Sequence, residues 1–536
     1  MRERRRPPFP NTSSDQTVKG RDLLVRGGNA VDALVGTTFC VGVVGMYHAG
    51  IGGGGFAMIR DADGRYEAVD FRESAPAAAH EDMYQGNIHG SIHGGLSVAI
   101  PSEVRGLEYI HKKYGRLPWD KVMRGAIHVA RHGFRVSSDM VRYMERATAN
   151  KKYDFLRRDP SFAQDFAPNG TLLGVGDIMT RKRYANTLET IATEGADAFY
   201  TGKLAESMVK HVQQTNGTMT LDDLATYQVL SRPVKSVTYH GLDLFTVGAP
   251  ASGSVCLSIL KTMEQYEDHG DVNLTTHRFA EAMRFAYGAR SELGDPRYVD
   301  GMHEIEDRML DDANARRIRH LISDEHTQPV RAYDPKALYT PHGHGTSHIV
   351  TADRSGMATS LTTTINLLFG ARIMDPVSGV ILNNEMNDFS IPGVPNEFGF
   401  EPSEANYIRP GKRPLSSITP VIAARADGSL FASVGAAGGS RIISATTSAL
   451  WHVVEHGMTM RSALAEPRLH DQLMPNTALL EYGFDNQTAL SLADRGHNIT
   501  WVFAGLSAVQ GIRSGEDGTF EAASEPRQKN SAGYSV

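Results

Sequence analysis

The chain has 536 residues, 41% of them hydrophobic and 22% charged, with a net charge of −6 at neutral pH. This composition is that of a globular protein with a large core, and it gives no electrostatic basis for nucleic-acid binding. The two cysteines, Cys40 and Cys256, stand in apolar surroundings and read as buried thiols, not as a disulfide framework or a metal site.

Residues 1–19 open with "MRERRRPPFP", a basic, proline-rich run expected to be an irregular tail with no visible secretory signal. From Ala33 to Ile59 there is no Asp, Glu, Lys or Arg, and the pattern predicts a buried helix ending near Gly45, then a glycine loop, in preference to a membrane span. That loop, "GIGGGG" at Gly50–Gly55, satisfies the dinucleotide-binding pattern G-x-G-x-x-G. The pattern needs a helix to follow it, whose N-terminal amides hold a pyrophosphate. Here Phe56–Arg60, an Asp-Gly turn and Tyr66–Phe71 predict a β-hairpin instead, so the glycines are assigned to close backbone packing near an active site. His89 and His93 have i, i+4 spacing but lie among glycines, where a metal-binding helix is not expected.

Helices are predicted over Ser102–Gly115, over Trp119–Gly133 with Val122, Ala126 and Val129 on one face, and through Thr276–Gly294. A Pro/Gly/His-rich loop from Asp334 to Gly345 precedes two strand–turn–strand units, Thr346–Ile365 and Thr419–Gly439. Between them the long connection Ser390–Pro414 is a candidate lid, and a helix over Ser440–Gly457 follows. Hairpins flanked by helices imply sheets covered by helices on their outer faces.

Three features converge on chemistry. The loop ending at Gly345 delivers Thr346 to the start of a strand, "GAAGGS" offers the bare amides of Gly438 and Gly439, and "RPLSS" places Ser416 and Ser417 just upstream. Inside a chain Thr346 has no evident base. Cutting the Gly345–Thr346 bond would give it a free α-amine with an ordinary pKa near 7.7–8.0, a base for its own hydroxyl. The alternative is a strand threonine of ordinary β propensity.

The segments "GTSHIVTADRSG", "SLTTTINLLFG", "GVILNNEMNDFS", "GKRPLSSITP" and "VGAAGGSRI" occur in order and resemble γ-glutamyltranspeptidases, particularly fungal ones. The likeness reaches back through "DFRESAPAAA" and "GGNAVDALVG" to about residue 20 and forward to "EPRQKNSAGY". It implies an α+β fold, the αββα sandwich of N-terminal nucleophile hydrolases. It also implies a precursor cut at Gly345–Thr346 into a large subunit (20–345) and a small one (346–536) that form one globular unit. Thr346 would attack the γ-glutamyl amide of glutathione or a conjugate, and water, an amino acid or a dipeptide would resolve the ester. No cofactor, metal or nucleic acid is implied; the partners are small molecules and the two subunits themselves.

The resemblance also assigns roles. Arg72 would pair with the donor's α-carboxylate, helped by Ser416 and Ser417, while Asp388, Glu385 and Asn366 accept from its ammonium. Gly438 and Gly439 would form the oxyanion hole, and Thr364 would sit by the nucleophile's amine. Two departures stand out: Asn387 replaces an aspartate of many relatives, and "MRERRRPPFPNTSSDQT" stands where relatives have a signal or anchor and a short strand. Phe398 lies in the lid where some bacterial relatives have tyrosine. The sequons at Asn11, Asn169, Asn216, Asn273, Asn486 and Asn498, with the resemblance, point to the secretory pathway, whether extracellular, membrane-associated or vacuolar. Rival readings are a γ-glutamyl-removing enzyme of secondary metabolism, a related β-lactam side-chain acylase, and an uncleaved, inactive homologue acting as a binding protein.

Overall fold

Glycine and charge patterning decide where the chain turns and what it buries. In the computed structural model, residues 12–149, 154–340, 345–395, 399–529 and 531–536 are described. Among the described residues regular structure begins with helix α1 (Thr12–Val25), whose first part falls in the stretch expected to be an irregular tail. The charge-poor segment folds as helix α2 (Ala30–Val44), and every one of its residues is buried. Asn29 and Asp32 close its N-terminus by a reciprocal capping box, and Gly45 ends it. The short strand that relatives carry ahead of the first helix is not among the described residues.

The predicted hairpin is present as strands β1 (Gly54–Arg60) and β2 (Tyr66–Phe71). Strands β3 (Leu230–Arg232), β4 (Val234–Tyr239) and β5 (Leu242–Val247) follow a helical region. The two later hairpins supply β6 (Gly345–Ala352) with β7 (Ala358–Asn366), and β8 (Val421–Arg425) with β9 (Leu430–Ala437). Strands β10 (Ala508–Ser514) and β11 (Phe520–Ala523) complete the strands of the two large sheets. They form a five-stranded sheet, β3-β2-β1-β7-β6, and a six-stranded one, β11-β10-β9-β8-β5-β4.

The sheets face each other through the two hairpins. Ser433 Oγ donates to Thr359 O at 2.9 Å, and Ser360 Oγ to Val434 O at 3.1 Å. Helix α2 covers the outer face of β6 and β7, while helices Gly253–Met263 and Arg441–Glu455 cover the second sheet. Leu34, Phe39 and Leu361 lie in one apolar core, and Leu257, Ile443 and Val434 lie in the other. This is the expected αββα sandwich, with β6 and its threonine at an outer edge of the first sheet.

A buried ion network ties the end of β2 to the segment leading to the serines. Arg413 Nη1 lies 2.5 Å from Asp70 Oδ1, and Arg232 Nη2 bridges Asp70 at 2.8 Å and Asp295 at 3.0 Å. Replacing Asp70 by alanine leaves two buried guanidinium groups without that partner. We expect a loss of about 3–5 kcal/mol, measured as a lowered urea midpoint.

Candidate active site

Thr346 is the second residue of β6 and is only 7% exposed. Strands β6 and β7 pair regularly up to Ser347–Thr363, after which a bulge brings Asn366 opposite Gly345. Asn366 absorbs the irregularity with φ of +67°, a left-handed conformation that asparagine tolerates better than most residues. The bulge re-aims Thr364, whose hydroxyl donates to the carbonyl oxygen of Gly345 and accepts from Asn366 N–H at 2.8 Å. The carbonyl of the bond expected to be cut is therefore hydrogen-bonded by a side-chain donor before any reaction.

The glycines of "GIGGGG" pack against this same place. A Cβ on Gly53 would overlap the Thr364 carbonyl oxygen, and one on Gly55 would overlap that of Thr362. The run exists so that β1 and its approach can lie directly against β7, as the sequence suggested, and no helix opens at it.

Arg72 follows β2 and is 1% exposed. Its Nη1 meets Glu385 Oε1, its Nη2 lies 2.5 Å from Asp388 Oδ2, and Glu73 stands 4.0 Å away. Burial opposes the charge of Arg72, but Glu385, Asp388 and Glu73 outweigh it and hold the guanidinium above its ordinary value. Asp388 Oδ1 is buried and accepts no hydrogen bond among the described residues. The expected carboxylate reader and ammonium reader thus satisfy one another in part, leaving an acceptor free for an incoming cation. Asn366 Nδ2 donates to Asn384 O at 3.0 Å, and Asn387, the departure from relatives, donates to Ser91 Oγ at 2.8 Å.

Behind this layer lies a surplus of buried carboxyls. Burial raises Glu73 to about 7 and Glu103 to about 8; a hydrogen bond from Thr363 opposes the shift of Glu103 and the charge of Glu73 adds to it. Unfolded, each titrates near 4.3. The native state therefore holds protons that the unfolded chain has lost, so stability falls as pH rises from about 4.5 to about 8. Each group contributes at most about 1.4 kcal/mol per pH unit. Glu103→Gln should flatten this limb in urea denaturation between pH 5 and 8; an unchanged slope would refute the assignment.

Ser416 and Ser417 emerge from the long connection beside Pro250, whose carbonyl accepts from Ser416 N–H at 2.7 Å. Gly438 and Gly439 have φ of +136° and +63°, and a Cβ on Gly438 would come within 2.8 Å of Leu506 O. Neither of their amides has an acceptor among the described residues. Arg72, Gly345, Thr346, Thr364, Asn366, Glu385, Asp388, Ser416, Ser417 and Gly439 line one small pocket. Of the expected residues only Gly438 is not on its wall; it adjoins it through Gly439. The pocket also holds Arg290, which the sequence reading missed. It ends a long helix in "FAYGAR", and nothing local distinguishes it from a surface arginine.

The lid expectation holds only in part. Phe400, Ser403, Asn406, Ile408, Lys412 and Arg413 are buried, so the second half of Ser390–Pro414 is anchored to the core at several points, and Phe398 lies outside the described residues. Away from the pocket, His277, Glu281 and His497 converge, but His277 Nδ1 and His497 Nε2 already share a 2.8 Å hydrogen bond, and Glu281 accepts from Tyr333.

A threonine at the head of a sheet-edge strand, in an αββα sandwich, with a polarised preceding carbonyl, defines the class of N-terminal nucleophile hydrolases. Cephalosporin acylase from Bacillus halodurans shares the fold, with a TM-score of 0.85 at 22% identity over 100% of both chains. A family model described as gamma-glutamyltranspeptidase matches residues 17–535. The chain belongs to that family. The glutathione hydrolase proenzyme of Arthroderma benhamiae is 51% identical over 96% of this chain and 90% of its own. The glutathione hydrolase of Aspergillus flavus is 47% identical over 96% and 87%. The solved gamma-glutamyltranspeptidase of Helicobacter pylori is 32% identical, with a TM-score of 0.56 over 62% of this chain and 95% of that one.

Proposed function

We propose that the protein is a γ-glutamyltransferase and glutathione hydrolase that matures by cutting its own Gly345–Thr346 bond. The observation that carries this is one pocket joining Thr346 to readers for both charges of an α-amino acid: guanidinium and hydroxyl groups, and beside them an Asp388 oxygen that accepts no hydrogen bond among the described residues. The names of the fungal relatives support the donor class.

In maturation, Thr346 Oγ attacks the Gly345 carbonyl carbon while the Thr364 hydroxyl steadies the developing oxyanion. The C–N bond breaks, the proton passes to the new α-amine, and water hydrolyses the ester. The freed amine then serves as base when Thr346 Oγ attacks a donor's γ-amide. Gly438 and Gly439 amides face the oxyanion, each donor typically worth ~10²–10³ in rate. The departing amine takes the proton, and water or an acceptor amine releases the γ-glutamyl group.

Incubating the purified protein with glutathione should release glutamate and cysteinylglycine; adding glycylglycine should divert the glutamyl group into a new peptide, both read by mass spectrometry. Matured protein that releases neither would overturn the proposal. We also place the protein in the secretory pathway, a reading supported by the exposed sequons at Asn169, Asn216, Asn486 and Asn498.

A further inference from the structure

The two arginines of the pocket are in opposite electrostatic situations. Arg72 is surrounded by Glu73, Glu385 and Asp388. Its donors all face protein acceptors, with Nε directed at Pro414 O at 3.4 Å and Nη2 also near Leu415 O at 3.5 Å. Arg290 is 3% exposed, yet among the described residues no carboxylate comes within 4.0 Å of its nitrogens. Its contacts are three hydroxyls: Ser252 Oγ at 3.0 Å from Nε, Thr340 Oγ1 at 2.7 Å from Nη1 and Ser417 Oγ at 3.0 Å from Nη2. A buried cation with no carboxylate in contact is costly, and burial, with a smaller push from Arg72 and against the opposing influence of Tyr287 and Asp388, pulls this guanidinium down to about 10.

Those hydroxyls lead to both pocket serines. Ser417 Oγ accepts directly from Arg290. Ser252 Oγ accepts from Arg290 Nε and donates at 2.5 Å to the carbonyl of Ser416, whose own Oγ accepts from Ile418 N–H at 3.2 Å. A serine hydroxyl has one donor and two acceptor sites. With an acceptor site of each oxygen loaded from behind, the O–H of Ser416 and of Ser417 is left to donate into the pocket.

We propose that Arg290 is the charge behind the donor's α-carboxylate: a positioning residue that aims the hydroxyl of Ser417 at that carboxylate, holds the main chain of Ser416 in place through Ser252, and supplies the positive potential that Arg72, engaged by three carboxylates, does not. This rests on the γ-glutamyl reading of the pocket. The carboxylate completes Arg290 electrostatically without touching it, through Ser417. Thr340 lies five residues before Gly345, so the same guanidinium also anchors the chain just ahead of the bond to be cut.

The test compares γ-glutamyl p-nitroanilide with 4-aminobutyryl p-nitroanilide, the same amide without its α-carboxylate, using matured enzyme raised in concentration for the slower donor. For Arg290→Gln, kcat/KM on the γ-glutamyl donor should fall about 10- to 100-fold, the range of a lost charge-assisted hydrogen bond. Most of the fall should be in KM, while the decarboxylated donor changes by less than about threefold on the same basis. Arg290→Lys should recover part of the loss, because it restores charge without the fork. Equal losses on the two donors would reduce Arg290 to a packing role and overturn the proposal. If Arg290→Gln does not self-cleave, Ser252→Ala cuts only the branch to Ser416 and should still show a loss confined to the γ-glutamyl donor; an equal loss on both would again overturn it. Wild-type enzyme that turns over neither donor would instead refute the γ-glutamyl reading itself.

Discussion

Purified Thr346→Ala protein should run as one chain of 536 residues, whereas the wild type resolves into fragments 1–345 and 346–536. In the proposed mechanism the hydroxyl of Thr346 is the attacking atom in both reactions, and only scission creates the amine that serves as its base. One substitution therefore removes maturation and catalysis together, with a loss on the order of 10⁴-fold or more in donor turnover, as for other deleted nucleophiles. Thr346→Ser keeps the hydroxyl and should still cut itself. Intact-mass spectrometry reads the first effect and glutamate release the second. Wild-type protein that stays uncut would favour the inactive binding-protein reading; alanine protein that still cuts at this bond would remove Thr346 from the mechanism.

Gly53→Ala should block maturation without touching any reacting group. The new methyl would occupy the place of the Thr364 carbonyl oxygen, a backbone atom in the middle of a five-stranded sheet. Strand β7 can make room only by moving, and with it the Thr364 hydroxyl leaves the Gly345 carbonyl. A misplacement near 1 Å costs on the order of 10²-fold in rate. Thr364→Val, which deletes the hydroxyl alone, should cost about 10²–10³-fold. Both are read as the half-time of precursor disappearance on denaturing gels. Gly174→Ala is the control: its nearest neighbour would be Asp177 Oδ2 at 3.7 Å, so it should mature normally. If Gly53→Ala matures as fast as this control, the glycine run does not serve the scissile bond.

The sequence by itself marked the hairpins, the buried helix and most of the residues that line the candidate pocket. Alternation of apolar residues around Asp-Gly turns marked the hairpins, and the charge-free run after Asp32 marked the buried helix. Ordered motifs marked Arg72, Thr346, Thr364, Asp388 and the serine pair, because local patterns and family likeness are properties of the chain alone. The αββα arrangement followed from that likeness. Some features existed only once the chain had folded. The bulge that turns Thr364 onto the Gly345 carbonyl depends on register between two strands. The commitment of Arg72 to Glu385 and Asp388 brings together residues more than three hundred positions apart. Arg290 is a helix-end arginine like many others until folding buries it against three hydroxyls with no carboxylate within 4.0 Å among the described residues. Charge balance in a dry pocket is a sum over distant residues, and no local stretch of sequence contains it.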